Sequence, residues 1–269
     1  VLVEDGTILD LSGSVTDFDG DFLAAGGINH VRGLLELRLP PLRGRGLRIG
    51  PPLRRPGKIV CVGLNYHDHA RETGATPPTE PVLFLKAADT VVGPCDEVLV
   101  PHGGEKTDWE IELAVVIGRT ARYLPSAAEA LEYVAGYAIS HDVSERAFQL
   151  ERGGQWDKGK SCETFNPFGP WLVTRDEIPD PGQLGLRLWV NGTLRQNGNT
   201  RDMIFNVPQI IHYVSQFMTL YPGDVVNTGT PAGVALGMPD PKPYLRPGDV
   251  VELEIDGLGR QRQRLGVAW

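Results

Sequence analysis

The residues best suited to chemistry lie between Asp108 and Lys160. The run D-W-E-I-E-L-A-V-V-I-G, Asp108 to Gly118, alternates as a β-strand does, because successive side chains change face. Trp109, Ile111, Leu113, Val115 and Ile117 share one face, and Asp108, Glu110, Glu112, Ala114 and Val116 share the other. The second face begins acidic and ends apolar. The strand is therefore expected to run from a polar mouth into a core, with Glu110 and Glu112 at the lip. Two carboxylates there read either as a solvated edge or as oxygen donors for a hard divalent cation, Mg²⁺ or Mn²⁺. A second apolar strand, Ala135 to Asp142, ends on another acid, and V-S-E-R-A-F-Q-L after it reads as the opening of a helix. Asp142, Arg146 and Gln149 are spaced i, i+4, i+7, which puts them on one helical face. Asp142 with Glu145 reads as a capping box or as the third carboxylate of a metal site.

Other reactive side chains sit on elements that would have to bring them to that lip. A short buried strand, Lys58 to Gly63, leads into a helix with Asn65 as N-cap and Gly74 as its stop. On it His69 and Glu72 are i, i+3 neighbours. They form either a modest surface ion pair or a dyad in which the carboxylate holds one ring nitrogen while the other acts as base. The loop Ala75 to Pro81 could make this piece a lid. Strand Pro81 to Lys86 ends on a lysine that is either solvated or an anion contact. Lys160 falls in the loop-like run Glu151 to Pro170. The turn Thr228-Gly229-Thr230-Pro231 exposes N–H groups and hydroxyls, a cradle for a carboxylate.

The remaining elements read as scaffold. They are a Ser126/Glu129 capping box opening a helix to Val134, a hairpin at Asn191-Gly192, and a helix from Asn206 to Leu220 with Pro208 in its first turn. On that helix Ile210, Ile211, Val214, Phe217 and Met218 form the apolar side, and His212 is a packing or surface residue. A last hairpin turns at Asp256-Gly257. Turn signals at Asp5-Gly6 and Asp19-Gly20, and a helix after Gly27, mark the N-terminal part, where Val1 reads as entering in mid-strand. The Pro-, Gly- and Arg-rich run Leu39 to Gly57 reads as a linker crossing an acidic surface. Residues 1–55 are thus expected to form a small N-terminal domain and linker, and 56–269 the catalytic domain. A net charge of −8 disfavours nucleic acid and anionic membrane as partners, and no apolar run reaches the length of a membrane span. Three cysteines, an odd number without metal-site spacing, point to free thiols in a reducing cytoplasm. With 33 glycines and 22 prolines the chain must turn often, which favours a β-rich fold.

Taken in order, N-Y-x-D-H-x-x-E (Asn65–Glu72), E-P-V-L-F-L-K (Glu80–Lys86), E-x-E (Glu110, Glu112), D-x-x-x-R-x-x-Q (Asp142, Arg146, Gln149), G-K-S around Lys160 and T-G-T-P (Thr228–Pro231) resemble the fumarylacetoacetate hydrolase family. The resemblance covers Lys58 to the C-terminus. It implies a mixed α/β, β-rich fold, a rolled β-sandwich with a few helices, assembled as a homodimer. It further implies Glu110, Glu112 and Asp142 as Mg²⁺ (or Mn²⁺) ligands, and His69 and Glu72 as the lid dyad of an acylpyruvase-like branch, with Lys160 the cation for an oxyanion. Lys86, Arg146, Gln149, Thr228, Gly229 and Thr230 are implied at the substrate. The runs Glu151–Lys160 and Asn166–Val173 are similar to a branch that hydrolyses 2,4-diketo-3-deoxy sugar acids.

The expected reaction is hydrolysis of a carbon–carbon bond in a 2,4-diketo acid, with His69 activating water and pyruvate leaving beside a small hydroxy acid. Two alternatives stay open: decarboxylation or tautomerisation of oxaloacetate on the same metal site, and non-catalytic binding of keto acids.

Overall fold

The computed structural model describes residues 6–37, 39–42 and 46–269. In chain order the strands are β1 (Ile59–Gly63), β2 (Val82–Lys86), β3 (Val91–Val92), β4 (Val98–Val100), β5 (Thr107–Asp108), β6 (Ile111–Ile117), β7 (Val134–His141), β8 (Ser144–Glu145) and β9 (Asn166–Thr174). They continue with β10 (Gly185–Val190), β11 (Thr193–Asn199), β12 (Val225–Asn227), β13 (Val250–Ile255) and β14 (Gly259–Val267). The helices are α1 (Gly20–Ala24), α2 (Gly27–Leu35), α3 (His67–Glu72), α4 (Arg146–Leu150), α5 (Asp157–Lys160) and α6 (Val207–Ser215). A seven-stranded sheet runs β2-β1-β12-β6-β7-β9-β3, a five-stranded sheet runs β11-β10-β13-β14-β4, and β5 pairs with β8.

The smaller sheet lies across the larger, with β10 against β6, β13 against β7, and β14 against β7 and β9. The alternation of β6 explains why. Ile111, Leu113, Val115 and Ile117 project into the space between the sheets and meet Tyr137, Ile139, Leu188 and Leu253. Ala114 and Val116 project the other way, with Cys61, Ala138 and Val225, and are covered by Leu23 of α1 and by Leu53. The acidic-to-apolar face is therefore a channel floor that turns into core under the N-terminal segment. That segment also closes a small cluster of its own, Leu11, Val15, Val31 and Leu34. The outcome is a mixed α/β, sheet-rich fold with a curled main sheet and few helices.

Several local expectations are corrected. The strand from Asp108 is broken at Trp109-Glu110 because the chain changes partners there: Asp108 pairs with Ser144, whereas Ile111 pairs with His141. The helix after Asp142 begins at Arg146, since Ser144 and Glu145 are spent as β8. Glu145, not Asp142, is its N-cap, accepting from Ala147 N. Asn65 does not cap α3. Its amide is buried and fully used, donating to the carbonyls of Thr228 (2.7 Å) and Phe205 (3.0 Å) and accepting from Phe205 N (2.8 Å).

Ala127–Tyr133 is a 3-10 helix without a side-chain cap, and Ser126 only approaches Glu129 at the surface. Asp19-Gly20 is the capped start of α1. Within Glu151–Pro170, Lys160 ends a one-turn helix and Asn166 opens β9. Helix α6 does carry a capping box, Asn206 with Gln209, but it stops at Ser215. Phe217 consequently stands 64% exposed. The Asn191-Gly192 and Asp256-Gly257 turns form as expected. The Asp5 half of the Asp5-Gly6 turn, the entry at Val1 and residues 43–45 of the linker lie outside the described residues. No helix among the described residues is long and apolar enough to cross a membrane.

Candidate active site

Glu110, Glu112 and Asp142 meet at the open end of β6 and β7. The Asp142 N–H donates to the Glu110 carbonyl (2.9 Å), which fixes the two residues opposite each other. All three side chains are buried, and one carboxylate oxygen of each lies within 4.8 Å of the others. Such an oxygen-only set suits a hard divalent cation. Three carboxylates this close repel one another. Burial, and then the Asp142 and Glu110 charges, push the Glu112 carboxyl well above the usual range, against the partial relief of Lys160 and the Gly229 N–H. A divalent cation would remove that conflict, so the residues present fit one.

Cations pack the set from behind and beside. Lys160 Nζ bridges Glu110 Oε2 (2.9 Å) and Asp142 Oδ2 (2.7 Å). Lys86 Nζ donates to Asp142 Oδ1 and to the Val143 carbonyl. Arg146 donates to Glu110 Oε1 (2.6 Å), Asp108 Oδ2 (2.9 Å) and Gln149 Oε1 (3.0 Å). Burial alone would raise the Glu110 carboxyl, yet the Lys160 and Arg146 charges hold it far below its ordinary value. Lys160 and Arg146, for their part, are buried but kept protonated by the carboxylates they touch. The strand-end Lys86 is thus an anion contact, and the anion is Asp142. Asp108 is not a ligand of the set.

A cavity of about 200 Å³ opens on this cluster, and His69, Glu110, Glu112, Arg146, Gln149, Lys160 and Thr230 reach its wall. Its apolar side includes Val62, Leu64, Phe84, Trp156 and Leu236. His69 Nδ1 lies 3.3 Å from Glu72 Oε2, and Glu72 Oε1 accepts from Gly233 N (2.9 Å). His69 is therefore buried on the cavity wall with Glu72 held behind it, and the two are not a solvated surface pair.

In the Thr228–Pro231 turn, Thr230 lines the cavity while several of the donors are engaged within the chain. Gly229 N donates to Glu112 Oε2 (2.7 Å), Thr228 Oγ to the Leu113 carbonyl, and Thr230 Oγ to the Ile111 carbonyl. One of its donors, Gly229 N, meets a carboxylate, and that carboxylate is the protein's own Glu112. Gly229 has φ +96°, and a Cβ there would come within 2.8 Å of Asn65, so only glycine presents its N–H this way. The structure also adds residues the motifs had not singled out. Trp156, edge-on to Phe84 at 5.5 Å, lines the cavity. Its one sequence signal is an aromatic inside an otherwise polar run.

Residues 58–266 match the family described as Fumarylacetoacetate (FAA) hydrolase C-terminal. A Burkholderia multivorans protein, provisionally named a hydrolase, is 52% identical over 263 residues, covering 98% of this chain and 93% of its own length. The crystal structure of 2-hydroxyhepta-2,4-diene-1,7-dioate isomerase from Mycobacterium marinum is similar at 38% identity and a TM-score of 0.71, over 84% of this chain and 83% of that one. Maleylpyruvate hydrolase from Sphingobium sp. SYK-6, solved with manganese(II) and pyruvate, has a TM-score of 0.81 at 30% identity, over 100% of this chain and 96% of that one. Matched across the sheets and helices that build the acidic pocket, the chain belongs to the fumarylacetoacetate hydrolase family.

Proposed function

We propose that this protein is a metal-dependent hydrolase that cleaves a carbon–carbon bond of a 2,4-diketo acid, an acylpyruvate or a 2,4-diketo-3-deoxy sugar acid. The products are pyruvate and a small acid. The observation that carries this reading is one cavity lined by Glu110, Glu112, His69 and the buried Lys160, with Asp142 completing the carboxylate cluster behind it and Glu72 holding His69. Glu110, Glu112 and Asp142 hold Mg²⁺ or Mn²⁺, which when bound polarises the substrate's keto oxygen. The likeness to a hydrolase solved with manganese and pyruvate supports the same choice.

The protein's own groups do the rest. His69, held through Nδ1 by Glu72, takes a proton from the water that attacks the 4-keto carbon. Lys160 spends two of its three N–H donors on Glu110 and Asp142, leaving the third for the developing oxyanion. Gly229 N and the two threonine hydroxyls serve Glu112 and strand carbonyls, so the substrate carboxylate falls to the Thr230 backbone N–H, the side-chain amide of Gln149 and the guanidinium of Arg146, all at the cavity. Lys86 acts from behind by holding Asp142. The hydrophobic wall around Phe84, Trp156 and Leu236 takes the distal group and excludes water. We further infer a homodimer, a small N-terminal domain ending near residue 55, and a reducing cytoplasmic setting, the last consistent with free thiols at Cys61, Cys95 and Cys162.

The likeness to an isomerase favours one rival on the same site, tautomerisation or decarboxylation of oxaloacetate, which needs no attacking water. A turnover screen of 2,4-diketo acids with Mg²⁺ and Mn²⁺, following pyruvate, is expected to find a substrate. Carbon dioxide from oxaloacetate with no pyruvate from any diketo acid would hand the site to the rival.

A further inference from the structure

Asp108 is fully buried and does not reach the cavity, yet four donors converge on it. Oδ2 accepts from Arg146 Nε (2.9 Å) and Leu236 N (3.0 Å), and Oδ1 accepts from Trp109 N (2.8 Å) and Ala235 N (2.8 Å). One carboxylate therefore ties the arginine beside Glu110 to the 3-10 turn Ala235–Gly237. That turn belongs to the same loop that touches the other wall of the site. Gly233 N donates to Glu72 Oε1, and Gly237 packs so tightly that an added Cβ would lie 2.3 Å from the Glu72 carboxyl carbon.

We propose that Asp108 is a positioning residue that sets Arg146 and the His69–Glu72 dyad in a common frame through the 233–237 loop. The role assigned to the dyad rests on the hydrolase reading above; the coupling itself rests only on these contacts. The chemistry requires a carboxylate. An asparagine has one acceptor oxygen and one amide NH₂. Whichever way it turns, the NH₂ meets two donors, either Arg146 Nε with Leu236 N or Trp109 N with Ala235 N. A glutamate adds a methylene to a fully buried site.

The test measures Asp108→Asn, Glu72→Gln and the double variant, with Mn²⁺ titration and thermal melting on each. Asp108→Asn is expected to lower kcat on the order of 10²-fold, the scale of an ångström of misplacement, while Mn²⁺ binding is retained. If Asp108 acts through Glu72, the double variant is no slower than the slower single. Multiplying losses would show that the two act separately and would overturn the proposal.

A second readout needs no turnover: the His69 ring nitrogens in ¹⁵N-histidine protein, assigned by their loss in His69→Ala. They are expected to shift alike in Asp108→Asn and Glu72→Gln, and an unmoved His69 signal in Asp108→Asn also overturns the coupling. Should Asp108→Asn fail to fold, Gly237→Ala displaces Glu72 from the same loop and is expected to give the same His69 shift. No diketo-acid turnover by the wild-type protein, with the His69 shifts present in both variants, would retire the hydrolase reading and leave the coupling standing.

Discussion

The two walls of the cavity are held in different ways. The acidic wall grows out of β6 and β7, strands buried on both faces, and every carboxylate in it is matched to a cation or a backbone N–H. The dyad wall rests on α3, a helix of six residues with no side-chain cap, and on a single 3.3 Å contact between His69 and Glu72. The first is over-determined, as a site for a multivalent cation must be to keep like charges together. The second is held by fewer bonds, Gly233 N to Glu72 among them, which would suit the proton transfer proposed for His69. On that reading, fixing charge and moving protons fall to separate parts of the chain.

Breaking the rigid wall should cost most. Asp142→Ala removes a proposed ligand, takes the carboxylate from Lys86 and leaves Lys160 with Glu110 alone, so both Mn²⁺ binding, followed by calorimetry, and turnover are expected to vanish. Retained metal affinity would show that the triad is not the ligand set. His69→Ala should leave Mn²⁺ affinity intact and lower kcat about 10²- to 10⁴-fold, the usual worth of a general base. A full rate in that variant would mean the dyad wall does no proton transfer.

Lys86→Met leaves a buried Asp142 short of a partner. A loss of about 3 kcal/mol in urea unfolding is expected for one broken buried pair, eased when Mn²⁺ is present. No loss would mean that Lys160 alone satisfies Asp142. At the small end, Phe217→Ser, beyond the end of α6 and far more exposed than the site residues, should move stability by no more than about 0.5 kcal/mol and leave kcat unchanged.

The same contrast governs what could be read from the sequence. The facing of Glu112 and its apolar counterparts was legible because β6 follows a two-residue period over most of its length, while the break that sets Glu110 just before it was not. Asp142 was legible as a strand-ending acid. Where short elements compete for the same side chains, spacing misleads. Ser144 and Glu145 look helical by position, but they pair with β5, so the cap moves to Glu145. Asn65 looks like a cap, yet its amide bonds to carbonyls at Phe205 and Thr228 that only the folded chain brings near. The T-G-T-P turn was legible as a carboxylate cradle, but sequence could not say that Glu112 would fill it. Lys160 was found by motif and not by pattern, because a one-turn helix has no periodicity to detect.

The contacts that finish the site span long stretches of chain: Gly229 N to Glu112 bridges 117 residues and Gly233 N to Glu72 bridges 161. The first depends on the antiparallel pairing of β12 with β6, which joins residues 225–227 to 114–116, and the second on the parallel pairing of β1 with β12, which joins residues 59–61 to 225–227. Loop closures of this length come late and slowly in folding. Competence to bind a divalent ion is therefore expected to appear in the last kinetic phase of refolding, after most β-sheet circular dichroism has returned. A nascent chain still lacking β12 would display its three carboxylates without the glycine that holds one of them, and on the proposed reading is expected to bind a divalent ion only once the fold is complete.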